Sequence, residues 1–96
     1  MIDYSYEREE AIKKRVKKNL DEIDRLGAEF DNKKKEIGEM IAELDCYGEL
    51  HGKDQNYNEL KAKIDSEKSK HLKMLDKYKA KIQELEKENA IITDLI

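Results

Sequence analysis

The stretch YGELHGKDQNYN, residues 47–58, interrupts two long segments of regular helical pattern and decides how the chain folds. Gly52 follows His51, and this order suits a helix end. Glycine readily adopts the left-handed backbone conformation that ends many helices, and a protonated histidine in the last turn interacts favourably with the negative end of the helix dipole. Asn56 followed three residues later by Glu59 resembles a capping box, which starts a helix. We therefore predict one helix over about 5–51, a turn over 52–55 and a second helix over about 56–96.

On both sides of this stretch, apolar residues recur at alternating steps of three and four. Such spacing marks the a and d positions of a heptad repeat, which form the buried stripe, or seam, of a coiled coil. The two registers do not continue into each other across the stretch, so the pattern predicts a hairpin that folds back there. The first seam contains Ile12, Val16, Ile23, Leu26, Phe30, Ile37, Met40, Leu44 and Tyr47, and the second contains Tyr57, Ile64, Leu75, Tyr78, Ile82, Leu85, Ile92 and Ile96.

Polar residues also occupy seam positions. When the apolar residues of the two seams are aligned antiparallel, Asn19 falls opposite Asn89 and Ile37 falls opposite His71. A buried amide is costly unless it finds a hydrogen-bonding partner, and a seam asparagine commonly specifies register. We expect Asn19 and Asn89 to pair and to set the register of the hairpin.

The composition limits the core to such a narrow seam. The chain has 96 residues, of which 45% are charged and 38% hydrophobic. These proportions are typical of long helices and coiled coils, so we predict a single all-α domain over 1–96, a long antiparallel helical hairpin. Apolar residues beside the seams widen the apolar stripe towards that of a bundle helix, which predicts a homodimer forming a four-helix bundle. The residues expected to carry self-association are Leu20, Ile41, Leu60, Leu72, Met74 and Leu95.

Nothing in the chain indicates a membrane or an oxidising compartment. No apolar run approaches the ~18 residues that a membrane-spanning helix requires, and the first residues do not resemble a signal peptide. Cys46 is the single cysteine and cannot form a disulfide within the chain. We therefore predict a cytoplasmic protein with no membrane partner.

The residues that carry chemistry are scattered. His51 and His71 lack the clustered ligands of a zinc site, and Cys46 has no histidine at helical spacing to activate it. There is no glycine-rich phosphate loop. We predict no catalytic residue, no metal and no cofactor, hence no enzyme, and interpret the chain as a non-catalytic coiled-coil interaction module: an adaptor, scaffold or small inhibitor that binds itself and an unidentified protein.

Two regions offer further candidate contacts. A basic run near the start of the first helix has the lysine and arginine content that contacts phosphates, and it supports an alternative function as a nucleic-acid-binding regulator. The run points in nearly all directions around the helix and is bordered by acidic residues, at a net charge of −3, so we expect a solvated surface there and disfavour nucleic acid as a partner. The run comprises Lys13, Lys14, Arg15, Lys17 and Lys18.

The two ends of the chain meet in a hairpin and bring apolar and aromatic residues together. Exposed apolar residues at a helix end commonly mark interaction sites. This tip is therefore a candidate docking surface for the protein partner. Its residues are Tyr4, Tyr6, Ile91, Ile92, Leu95 and Ile96.

A length near 100 residues and a central turn between two helices resemble the WXG100 family of secreted helical hairpins. The likeness is one of architecture, because Cys46, Tyr47 and Gly48 stand where that family has its W-x-G turn and the chain contains no tryptophan. It implies a second alternative, a WXG100-like secretion partner.

Overall fold

The computed structural model describes residues 1–96 and contains two helices and no strand. Helix α1 spans Ser5–His51 and helix α2 spans Gln55–Thr93. Both are free of proline, and the Asp3 carboxylate accepts hydrogen bonds from the Ser5 amide (3.0 Å) and hydroxyl (2.6 Å) at the start of α1. Such a carboxylate stabilises the unpaired amides of a helix N-terminus. Neither helix has a segment of the length and apolarity needed to cross a membrane.

The bounds of α1 agree with the predicted 5–51, whereas α2 differs from the predicted 56–96 at both ends. Helix α2 begins at Gln55 and ends at Thr93. Beyond Ile92 the backbone tightens into i→i+3 bonds, from the Leu95 amide to the Ile92 carbonyl (3.1 Å) and from the Ile96 amide to the Thr93 carbonyl (3.2 Å). Ile96 is 50% exposed, so its predicted place in the seam is wrong.

The turn contains the expected glycine and an unexpected cap. Gly52 has a φ of 77°, and its amide donates to the Gly48 carbonyl (2.9 Å), which is the bond that closes a helix ending in a left-handed glycine. Asp54 caps α2, because its Oδ1 accepts from the Tyr57 amide (3.0 Å). The predicted cap at Asn56 is therefore wrong, and the turn is one residue shorter than the predicted 52–55.

The chain divides into two compact units, each an antiparallel pair of helical segments. Unit 1 comprises Met1–Gly27 and Tyr78–Ile96, and unit 2 comprises Ala28–Lys77. In unit 1, Arg8 contacts Leu95 and Arg15 contacts Glu88, so the two segments run in opposite directions. In unit 2 the turn itself reverses the chain. The prediction of an antiparallel helical hairpin is confirmed at this level.

The core of each unit is a narrow seam. Leu26 and Leu85 are buried in unit 1, and unit 2 buries Ile37, Leu44 and Ile64. Burying one such side chain contributes about 1.5–3 kcal/mol. Because so few side chains are buried, the polar groups that enter the seam have a large influence on how the segments align.

Candidate interaction surfaces

A pair of asparagines forms a polar layer in the seam of unit 1. Asn19 and Asn89 are each 9% exposed, and the Asn19 Nδ2 donates to the Asn89 Oδ1 at 2.8 Å. The Asn89 Nδ2 donates in turn to the Val16 carbonyl at 3.3 Å. These bonds compensate the burial of both amides. The contact joins the two residues that the seam alignment paired, while their role in setting the register stays a prediction.

The seam of unit 2 holds a histidine. The His71 ring stacks on Phe30, with centroids 4.2 Å apart, and its Nε2 lies 3.2 Å from the Phe30 carbonyl oxygen. Since a carbonyl only accepts, Nε2 carries the proton in this contact. The alignment of the two seams placed His71 opposite Ile37 and did not predict the ring contact. A flat imidazole can both stack and reach a backbone oxygen, whereas the alignment considers positions alone.

An ion pair closes one side of the unit 2 seam. Lys33 Nζ lies 2.7 Å from a Glu67 carboxylate oxygen on the facing segment. This hydrogen bond lowers the pKa of Glu67 and raises that of Lys33. This ion pair was not predicted from the sequence. The sequence does contain a signal for this pair, because Glu67 lies directly beside the second seam, where a long side chain can reach the facing helical segment.

The six residues predicted to carry self-association do not lie on one surface. On a helix, the residue just after a d position and the residue just before an a position lie on opposite sides of the seam. Leu20, Ile41 and Leu72 are of the first kind, and Leu60, Met74 and Leu95 are of the second. The four leucines are between 40% and 63% exposed, while Ile41 and Met74 are half-buried.

In unit 2 these two sides differ in charge as well. We name the side of Lys34, Ile41, Asp65 and Leu72 the open flank, and the side of Glu67, Leu60 and Met74 the paired flank. The paired flank holds the cross-helix ion pair of Lys33 with Glu67. Neither charged residue of the open flank forms a hydrogen bond or ion pair within the chain.

The predicted tip in unit 1 is largely exposed. Tyr4, Tyr6 and Ile91 are 66%, 70% and 60% exposed, and Leu95 and Ile96 are 53% and 50% exposed. Ile92 is half-buried and belongs to the seam. One bond links the two segments here, from the Arg8 guanidinium to the Leu95 carbonyl at 3.1 Å. The tip therefore consists of exposed apolar side chains, and a hydrogen bond from Arg8 to the Leu95 backbone joins its two segments.

The basic run is partly neutralised by neighbouring carboxylates. Lys13 Nζ lies 3.3 Å from Glu9 and 3.8 Å from Glu10, and its bond to Glu9 raises its pKa. Arg15 donates to Glu88 from its Nε at 2.8 Å. The remaining three lysines, Lys14, Lys17 and Lys18, line a shallow surface concavity together with Arg15, Asp21 and Glu88. Positive and negative groups are thus mixed in this concavity.

Cys46 and His51 lie near the turn in unit 2. Cys46 is an exposed free thiol, and the His51 ring contacts that of Tyr47, with centroids 4.8 Å apart. The Tyr47 hydroxyl donates to Asp54 Oδ2 at 2.7 Å. No group of three or more His, Cys, Asp or Glu side chains comes together as a metal site would require. Tyr47 thus contacts both His51 and Asp54, and these contacts connect the end of α1 to the turn.

Comparison with protein-family models, with curated proteins and with solved structures finds no match for this chain.

Proposed function

We propose that this chain is a non-catalytic coiled-coil interaction module, an adaptor, scaffold or small inhibitor, that self-associates and binds a protein partner. The observation that carries the proposal is the imbalance of apolar surface. Eleven large hydrophobic residues are exposed and five are buried. Exposed apolar side chains gathered at a helix end, as at the tip, commonly mark a protein-binding site.

Self-association covers the residues beside the seam. Two hairpins that pack their flanks together form a homodimeric four-helix bundle, in which leucines such as Leu20 and Leu72 move from water into a shared core. Burying one leucine contributes about 1.5–3 kcal/mol before the cost of association is subtracted. A few such residues per protomer are enough to drive dimer formation.

Sedimentation equilibrium over about a hundredfold range of concentration tests this part of the proposal, because dimer formation follows mass action. We expect the weight-average mass to rise from that of one chain, 11.3 kDa, to that of two. A mass that stays at one chain throughout would exclude self-association.

Partner binding is assigned to the tip. Tyr6 and Ile91 present aromatic and branched apolar surface to solvent, of the kind that dominates binding energy at protein interfaces. The test captures proteins from host extract with the wild-type chain, with Ile91→Glu and with the control Glu49→Lys, an exposed change near the turn. We expect one protein to be retained by wild type and control and lost with Ile91→Glu. Equal retention by all three would exclude the tip.

A nucleic-acid-binding regulator is the second candidate. The observation in its favour is the concavity lined by Lys14, Lys17 and Lys18, none of which forms an ion pair within the chain. Contacts to phosphates would give binding that weakens steeply with salt. Loss of a mobility shift of DNA or RNA in the triple Lys→Glu variant would support this candidate, and no shift at low salt would exclude it.

The proposed cytoplasmic location separates the leading function from the WXG100-like alternative. A chain that works as an intracellular adaptor stays in the cytoplasmic fraction of its host. Recovery of the chain mainly from culture medium, with a cytoplasmic marker protein retained by the cells, would instead favour a secretion partner.

A further inference from the structure

We infer that two copies of this chain exchange their second helices, so that α1 of each copy pairs with α2 of the other. The surface that binds is the seam of α1, and its occupant is α2 of a second copy. The proposed bundle uses the residues beside the seam instead, so the exchange is a distinct mode of association and goes beyond the proposed function.

The contacts that join α1 to α2 do not require both helices to belong to one chain. In unit 1 the Asn19 side chain donates to Asn89 at 2.8 Å, and in unit 2 Lys33 lies 2.7 Å from Glu67. Helix α2 of a second copy offers the same partners at the same spacing. Exchange therefore needs no new surface, which makes it a low-cost route to a dimer.

The pairing of the seams is symmetric about the turn. Asn19 and Asn89 stand equally far along the chain from Asp54, which lies within the turn. When the helix continues through the turn, a two-fold axis at this level places Asn19 of each copy opposite Asn89 of the other. Each contact between the helices is then made twice in one dimer.

The residues of the turn are able to continue a helix. The chain contains no proline, and Gly52 uses its φ of 77° only in the hairpin, because glycine also adopts helical angles at a modest cost. The Tyr57 amide, which donates to Asp54 at 3.0 Å in the hairpin, would donate to the Lys53 carbonyl in a continuous helix. Opening the turn thus replaces its hydrogen bond and leaves no backbone group unpaired.

Leu50 is the residue that favours opening. It lies near the end of α1, outside the seam of that helix, and is 77% exposed. Tyr57 follows Leu50 by one heptad and Ile64 follows it by two, so Leu50 continues the register of α2. In a continuous helix these three residues share one face. Leu50 then moves from water into the seam, opposite the same segment of the second copy, and its burial offsets part of the cost of association.

The first test reverses charges at a contact between the helices. Lys33→Glu leaves two carboxylates at the contact with residue 67, and Glu67→Lys leaves two ammonium groups there. Exchange of α2 between these two variants pairs Glu with Lys at both contacts of a heterodimer. The variants are mixed in equal amounts, unfolded in urea and refolded. We expect native mass spectrometry to find about nine-tenths or more of the dimers as heterodimers, against about half for random assortment.

A second pair of variants repeats this test in unit 1, and a third serves as the control. Arg15→Glu and Glu88→Arg change a contact whose side chains are 67% and 31% exposed, so the core is left intact. The control variants are Glu9→Lys and Lys13→Glu, whose ion pair of 3.3 Å lies within α1. Exchange of α2 cannot separate the two members of that pair, and we expect the control heterodimers to stay at about half.

A further test compares Leu50 with a leucine of the open flank. Leu50→Glu and Leu72→Glu each place a carboxylate at a residue that is 77% or 63% exposed, so the hairpin tolerates either change. We expect sedimentation equilibrium to show a dimer dissociation constant raised about tenfold or more by Leu50→Glu and by less than about threefold by Leu72→Glu. A bundle formed by packing the open flanks gives the opposite order.

The outcomes are separable. A wild-type chain that remains monomeric overturns both the proposed self-association and the exchange. A wild-type dimer whose cross-helix variants assort at random, or which is weakened by Leu72→Glu and not by Leu50→Glu, overturns the exchange alone and leaves the bundle standing. An excess of heterodimers for both cross-helix pairs, with random assortment of the control pair, supports the exchange.

Discussion

Unit 1 and unit 2 hold their helical segments together through different contacts. Unit 2 contains the turn, in which Gly52 ends α1 and Asp54 starts α2, so local backbone chemistry brings its segments together. Unit 1 joins Met1–Gly27 to Tyr78–Ile96, which are far apart in sequence, and its polar layer is the contact of Asn19 with Asn89. A turn reverses the chain whatever residues follow it. A pair of buried asparagines, in contrast, favours the one offset between two helices at which their side chains meet.

The polar seam residues of the two units are satisfied in correspondingly different ways. The Asn19 side chain donates its hydrogen bond to the side chain of one particular residue, Asn89. His71 bonds to the Phe30 carbonyl, a group that every residue possesses. A side-chain partner therefore gives specificity, and a backbone partner gives tolerance. Four changes test this difference, each assessed at a fixed protein concentration because the stability of a self-associating chain depends on concentration.

The largest effect is expected for Asn89→Leu, which leaves the buried Asn19 amide without its partner. We expect urea denaturation to show a loss of about 1–3 kcal/mol in the free energy of unfolding. The double change of both asparagines to leucine removes the unpaired group and should recover most of this loss. Asn32→Leu, an exposed site in α1, is the control and should cost less than about 0.5 kcal/mol. Equal losses for single and double variants would contradict a mutual pair.

The next effect is expected for Gly52→Ala in the turn of unit 2. A φ of 77° is strained for alanine, so the change should cost about 1–2 kcal/mol in unfolding free energy. The control Gly38→Ala adds a Cβ that meets nothing within 4 Å inside α1, and it should stabilise by up to ~1 kcal/mol. If both changes had the same sign, the left-handed glycine would not be what ends α1.

A smaller effect is expected for His71→Leu. The Phe30 carbonyl keeps its bond within α1, so no buried group loses its only partner, and leucine is apolar enough for the seam. We expect the free energy of unfolding to stay within about 1 kcal/mol of wild type. A loss as large as that of Asn89→Leu would show that the two polar seam residues are equivalent after all.

The smallest effect concerns Asp54 and is lost in acid. The Tyr57 amide and then the Tyr47 hydroxyl lower the pKa of Asp54 below its ordinary value of 3.8. A carboxylate whose pKa is lowered on folding contributes stability above its unfolded pKa and loses it as pH falls through the folded pKa. The melting-temperature difference between wild type and Asp54→Asn should therefore shrink as pH falls from 7 to below about 3.

Asp45→Asn is the matched control, because Asp45 is exposed and forms no hydrogen bond or ion pair within the chain. Its difference from wild type should not change over the same range of pH. A difference for Asp54→Asn that stays constant down to pH 2 would mean that the charge of the cap does not matter.

Much of the fold could be predicted because the heptad pattern is long and local signals agree with it. The end of α1 followed from His51 and Gly52, and the contact of Asn19 with Asn89 followed from aligning the seams. The cap of α2 was predicted wrongly, since Asp54 and Asn56 both have side chains suited to a cap and lie within three residues of each other. Only the structure shows that the Asp54 carboxylate accepts the hydrogen bond from the Tyr57 amide.

The candidate surfaces were less predictable. Each flanking residue could be recognised as apolar, and its heptad position, after d for Leu72 and before a for Leu60, already puts the two on opposite sides of the seam. The structure adds that the two sides differ in charge, because the ion pair of Lys33 with Glu67 lies on only one of them. That ion pair depends on which long side chains reach each other across the seam.

The sequence by itself determined that the chain is helical, where it reverses and which stripe is buried, because these follow from periodicity and from the backbone preferences of single residues. Only the tertiary structure decided which polar groups satisfy one another. A side chain such as His71 or Glu67 has several partners within reach, and the choice among them depends on rotamers, ring stacking and the local offset between two helices, none of which a single residue specifies.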